Sequence, residues 1–174
     1  MDFMITGFPR SGTTWMANLL TTDSSVCYHD PLYHTHYQDF EHLKKDPGSL
    51  MGISCTGIWR WKEWFNEQDC KKVILHRPFT EVQQELHKMG APYLEDHLRD
   101  SLDDLDGTHC FYRDIFSWAT ASDLYYELTG KPLSKVRFDN LLGMNVQPNF
   151  SVANVDENVM QGLYSELLEM HSDL

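Results

Sequence analysis

Positive charge is scarce in this chain. Fourteen Lys and Arg stand against 26 Asp and Glu, for a formal net charge of −12. A nucleic-acid partner needs a basic footprint to displace the counterions of its phosphates, so none is expected. The same balance argues against a polyanionic acceptor such as a sulfated polysaccharide. Cysteine is scarce too: Cys27, Cys55, Cys70 and Cys110, with no C-x-x-C pair. This spacing gives neither a disulfide framework nor a zinc ribbon, and reads as free thiols in a reducing compartment. Long apolar runs are missing. With no signal peptide and no membrane span to read, the expected location is cytoplasmic, without a membrane partner. Repeats, low-complexity segments and linkers are also missing. Core material is not: 41% of the 174 residues are hydrophobic and 13% aromatic. A single globular domain over 1–174 is expected rather than a disordered chain.

Phe3-Met4-Ile5 is a short apolar run that ends at Gly7, and reads as a buried parallel strand. From Thr13 the period becomes helical, with Trp15, Met16, Leu19 and Leu20 on one face. Residues 22–49 are polar and read as irregular or only briefly helical. Leu50–Ser54 suggests a second strand, 59–68 (WRWKEWFNEQ) a helix, and Lys72–Arg77 a further inner strand. Pro78 closes that strand, and Val82, Leu86 and Met89 mark the next helix. Leu94, Leu98, Leu102 and Leu105 predict an acidic amphipathic helix whose carboxylates form a solvated face. HCFYRDIF (109–116) reads as a strand running into a loop. A helix through Leu124, Tyr125 and Leu128 stops at Gly130, the expected terminating glycine. Val159, Leu163 and Leu167 predict a last helix. Strands alternating with helices imply a three-layer α/β domain of P-loop type with a mostly parallel sheet.

The sequence GFPRSGTTW (7–15) spaces Gly7 and Gly12 as a phosphate-binding loop does. Such a loop works because successive backbone N–H groups and a helix N-terminus converge on an anion. A nucleotide-hydrolysing loop would carry Lys where this chain has Thr13. Without that lysine, and without an obvious Asp pair for magnesium, the loop suits a donor with less charge to neutralise than ATP. No metal is expected. On this reading Gly12→Val abolishes donor binding while the fold survives.

PRSGTTW resembles the 5′-phosphosulfate loop of sulfotransferases that use 3′-phosphoadenylyl sulfate (PAPS). The likeness continues in VILHRPFTEV (73–82), similar to the family's 3′-phosphate segment, and in FYRDIF with LTGKPLS (111–116 and 128–134). The resemblance implies that Pro9, Arg10, Ser11, Gly12, Thr13 and Thr14 wrap the 5′-phosphate, with Arg10 on the sulfuryl group or its bridging oxygen. It implies a 3′-phosphate contact from His76 or Arg77. Neighbouring strand residues face opposite sides, so at most one of the two reaches the donor. The family's following Ser falls on Gln84 if counted from His76, or on Glu85 if counted from Arg77. Gln84 can donate a hydrogen bond, whereas Glu85 would repel a phosphate. The chain departs from the family in lacking its C-terminal R-K-G loop and in being short where acceptor-binding elements sit. That shortness leaves an acceptor pocket that is small, open or completed by a second copy of the chain.

Sulfuryl transfer needs a base for the acceptor proton. CYHDPL (27–32) offers Asp30, before Pro31, as the first choice and His29 as the second. Ser54, Cys55 and Thr56 follow the Leu50 strand, and none is a credible base. His29, His34, His36 and His42 with Asp30 and Asp39 suggest ligands, but their spacing fits no metal motif. Trp59, Trp61, Trp64 and Phe65 read as core before they read as an aromatic acceptor pocket. The implied function is a small transferase that moves a sulfuryl group from PAPS to a hydroxyl or amine of a small-molecule or carbohydrate acceptor. The alternatives are a non-catalytic nucleotide- or partner-binding relative and a P-loop nucleotide or nucleoside kinase.

Overall fold

The computed structural model describes residues 1–43, 45–144 and 146. Five strands form one sheet: β1 (Phe3–Gly7), β2 (Ser25–His29), β3 (Leu50–Cys55), β4 (Lys71–His76) and β5 (Thr108–Phe111), in the order β2-β3-β1-β4-β5. Every pairing is parallel. The helices are α1 (Thr13–Leu20), α2 (Lys62–Glu67), α3 (Phe79–Lys88), α4 (Trp118–Thr129) and α5 (Lys135–Leu142).

Alternation along the strands builds two cores. Phe3, Ile5, Val73 and Leu75 meet Trp15, Met16, Leu124, Leu128 and Phe138 from α1, α4 and α5. Met4, Ile53 and Ile74 meet Phe65, Val82 and Leu86 from α2 and α3, with Leu102 and Leu105. The central strand β1 is buried at every position, as a parallel strand covered on both faces must be. The result is the expected three-layer α/β architecture.

The strand order positions the site. From β1 the chain runs to the far edge at β2 and returns through β3. It then crosses to β4 and on to β5. Connections leave β1 and β4 in opposite directions, so a crevice opens between their carboxyl ends. The 8–12 loop forms one lip of it, and Arg77, just past the end of β4, the other.

Three elements differ from the sequence reading. The polar stretch contains β2, whose buried face is only Ser25 and Cys27. Pairing with β3 holds it, and so small an apolar stripe leaves little periodic signal. The acidic helix through Leu94–Leu105 does not form. A 3-10 turn at Asp96–Leu98 and further turns bury Leu102 and Leu105 instead. Asp and Ser in that run favour local side-chain bonds over helix. Helix α5 was not anticipated. Ser134 caps it, accepting from the Arg137 N–H. Its Arg137 donates from Nε to the Leu19 carbonyl at 3.0 Å and from Nη2 to those of Asn18 and Thr21, closing the C-terminus of α1. The helix expected at 159–167 lies outside the described residues. Among the described residues no helix is long and apolar enough to cross a membrane.

Candidate anion-binding site

Two left-handed residues bend the loop: Arg10 at φ 68° and Gly12 at φ 92°. The Ser11 N–H donates to the Phe8 carbonyl at 3.1 Å, and the first helical bond runs from Met16 N–H to the Gly12 carbonyl at 3.0 Å. Gly12 caps α1 without a side chain, and the first turn of α1 carries no carboxylate. The opening N–H groups of a helix have no acceptor within it, so the end of α1 favours an anion. Ser11 is fully buried, and its Oγ has no hydrogen-bond partner. A buried hydroxyl left unpaired costs about 1–3 kcal/mol, and an oxygen of a bound phosphate would relieve that. The Ser54 hydroxyl donates to the Thr13 carbonyl at 2.8 Å and ties the start of α1 to β3. These residues fit a phosphate group.

Gly12 needs a different account from the sequence reading. A Cβ there would lie 2.6 Å from Ile115 Cδ1. The space belongs to a core side chain, so the Gly12→Val variant strains the fold as well as the site.

Arg77 crosses the crevice. Its Nη1 donates to the Arg10 carbonyl at 2.6 Å, and its guanidinium carbon sits 4.3 Å from the Tyr112 ring centroid. Two glutamates of α3 face the same group. Glu81 is 3.4 Å from Arg77 Nε and 2.6 Å from Arg113, and Glu85 is 3.9 Å from both Arg77 and Arg10. Lys88, with Arg77 and Arg10, holds the Glu85 carboxyl below its ordinary range. His76 faces the other layer. Its Nε2 is 2.7 Å from His109 Nδ1, its Nδ1 is 3.8 Å from Asp103, and burial followed by His109 pushes its pKa down. Arg77 therefore belongs to the crevice and His76 does not. Gln84 is exposed on α3, and no hydrogen bond joins it to the loop among the described residues.

His29 ends β2, directly beside the start of α1. Its Nε2 lies 3.1 Å from Thr14 Oγ1, 3.4 Å from Thr13 Oγ1 and 3.4 Å from Asp30 Oδ2. Asp30 is the second non-glycine residue at positive φ, 45°. Its Oδ1 accepts from the Thr56 N–H at 2.5 Å and the Thr56 hydroxyl at 3.0 Å. The His29 side chain is 33% exposed and that of Asp30 only 11%, so His29 is the member open to an incoming molecule. The structure thus brings the two candidate bases beside the start of α1, next to the 8–12 loop. Left-handed backbone in non-glycine residues costs about 1–2 kcal/mol, and here it occurs at two candidate site residues.

Several contributors went unread in the sequence. Thr56, dismissed as a base, grips Asp30. Glu81 could have been found as the i+4 partner of Arg77. Cys55 lies beside Asp30, where burial and that carboxylate raise its thiol to about 12. Burial, Asp30 and Cys55 also push the Tyr33 hydroxyl up. The other histidines are dispersed: His36 accepts from the Gln38 N–H, and His42 pairs with Glu41 at 3.7 Å. No group of three or more His, Cys, Asp or Glu among the described residues could hold a metal ion. Trp59 and Phe65 are buried in the core, while Trp61 and Trp64 pack at its margin.

No protein-family model matches the chain, and no curated protein matches it. One similar solved structure is that of mouse sulfotransferase SULT7A1 complexed with PAP. The identity is 13%, the match covers 96% of this chain and 83% of that chain, and the TM-score is 0.47. A likeness at this level assigns no function.

Proposed function

We propose that the chain is a small PAPS-dependent sulfotransferase. One observation carries the reading. A glycine-capped loop with a buried, unpartnered Ser11 hydroxyl sits in the crevice between β1 and β4, with arginines on both lips and Thr13 where a kinase has lysine. Ser11, Gly12, Thr13 and Thr14 hold the 5′-phosphate, Arg10 lies on the sulfuryl side, and Arg77 supplies charge for the 3′-phosphate. When bound, the donor supplies a sulfuryl group on its 5′-phosphate. His29, steadied by Asp30, takes the proton that the acceptor loses as its oxygen or nitrogen bonds to sulfur. The bond from sulfur to the 5′-phosphate oxygen breaks in the same displacement. Arg10 and the N-terminus of α1 hold the charge left on that phosphate.

The test needs no acceptor. A ligand at a hundredfold excess over its dissociation constant stabilises the folded state by about 2.7 kcal/mol, or roughly 5–10 °C in melting temperature for a chain of this length. Adenosine 3′,5′-bisphosphate (PAP) without magnesium should give that rise. Adenosine 5′-phosphate should give less, because it offers nothing to Arg77. ATP with magnesium should also give less. A rise seen only with ATP and magnesium would replace this reading with a kinase.

One observation favours a second reading, a non-catalytic relative: Glu81 and Glu85 already occupy the arginines a phosphate would use. Glu85→Gln decides between them. Under the sulfotransferase reading it frees Arg10 and Arg77 and tightens PAP binding about 3- to 10-fold, the scale of a partly exposed ion pair. Calorimetric titration reads the change. Unchanged or weaker PAP binding would favour the non-catalytic relative.

A further inference from the structure

A cavity of about 510 Å³ is lined by Trp59, Arg60 and Lys62 on one wall and by Glu95, His97 and Asp104 on the other. This volume lies in the range of small-molecule sites. Trp59 links the cavity to the proposed site through two contacts. Trp59 packs edge-on against Phe8 of the loop, with ring centroids 5.2 Å apart. The Trp59 indole donates to the Thr56 carbonyl at 2.8 Å, and the Thr56 N–H donates to Asp30.

The charges of the walls are mostly spent on each other. Lys62 pairs with Asp104 at 2.9 Å, and His97 with Glu95 at 3.2 Å. Arg60 differs. Its guanidinium lies over the Trp59 ring, 5.2 Å from the centroid, and no carboxylate pairs with it among the described residues. Arg10, Arg77, Arg99 and Arg113 all face carboxylates, and the chain is strongly acidic. A guanidinium stacked on an indole keeps its N–H edge free for a planar, two-point acceptor, which a carboxylate matches.

We propose that this cavity is the acceptor site and that it selects a small hydroxylated monocarboxylate, anchored by Arg60. The inference rests on the sulfotransferase reading and narrows its acceptor to one class.

The test is binding, read by calorimetry on the full chain loaded with PAP. The probes are 4-hydroxybenzoate and 4-hydroxyphenylacetate, each against its methyl ester, which keeps the hydroxyl and loses the charge. The acids should bind about tenfold or more tightly than the esters, the scale of a charge-assisted pair. Arg60→Gln, at an exposed position, should erase the difference, and Arg60→Lys should keep part of it. Equal binding of acid and ester, no binding of either acid, or a preference that survives Arg60→Gln would overturn the proposal. The two levels separate through PAP itself. PAP binding without an acid preference sinks the pocket alone. An Arg60-dependent preference in a chain that does not bind PAP sinks the sulfotransferase reading, and the acceptor role with it.

Discussion

Gly12→Val should lower the melting temperature by roughly 5–15 °C and remove nucleotide binding at the same time. A β-branched residue at φ 92° costs about 1–2 kcal/mol or more. Its Cβ would also stand 2.6 Å from Ile115 Cδ1. Ile115 is fully buried against α1 and α4 and has little room to yield, so overpacking adds about 1–3 kcal/mol. A chain of this length loses about 2–4 °C per kcal/mol. Binding fails for a related reason: relief of the clash moves the loop off the end of α1. Because one variant damages both properties, Ser11→Ala is its partner. The Ser11 hydroxyl has no hydrogen bond to lose, so the alanine variant should keep or slightly raise the melting temperature. It should still bind PAP more weakly. Wild-type PAP affinity in both variants would take the loop out of the site.

His29→Ala should cut turnover by about a hundredfold or more, the usual loss for a general base, with PAP affinity changed only a few-fold. The imidazole contacts the Thr13 and Thr14 side chains, not the backbone cradle. Asp30→Asn is the companion variant. Asparagine tolerates the left-handed backbone and can still accept from Thr56 through Oδ1, so the protein should fold. Its turnover should fall too, because His29 loses the carboxylate beside it. An active His29→Ala with an inactive Asp30→Asn would make Asp30 the base. Full activity in both would move the base elsewhere. The assay is turnover with whichever acceptor the wild-type chain uses fastest, and PAP titration checks that the donor site is intact.

The fold was legible where burial is two-sided or periodic. FMITG and KVILH announce inner strands because strands covered on both faces are mostly apolar. The helix through Leu124 announces its own end with Gly130. Legibility failed where tertiary contact replaces local pattern. β2 is an edge strand held by β3, and the 94–105 leucines are buried by turns rather than by a helix. The tight 8–12 loop and the glycine cap of α1 could be read because such backbone turns require glycine at fixed spacing. The surroundings of the loop could not. Arg77 reaches Arg10 only because β4 ends at His76, one residue earlier than the Lys72–Arg77 strand expected from the sequence. That single residue sends Arg77 to the crevice and leaves His76 to stack with His109. Thr56 grips Asp30 from just past the end of the neighbouring strand β3, a contact no sequence interval encodes.

On the sulfotransferase reading, the ion-pair cluster of Arg10, Arg77, Arg113, Glu81 and Glu85 would have a consequence for the tempo of the cycle. With its arginines already satisfied, the crevice casts little attractive field beyond its mouth. Behind it stands a strongly acidic chain. A multiply charged nucleotide therefore meets repulsion at long range and attraction only after Glu85 gives way. Capture is a partner exchange and not an electrostatic fall, and added salt hastens the approach where it would slow a steered encounter. Departure would follow the same path in reverse, with Glu85 returning to the arginines as the spent nucleotide loosens. If the sulfotransferase reading holds, the cluster would work as a built-in competitor that limits how long product stays.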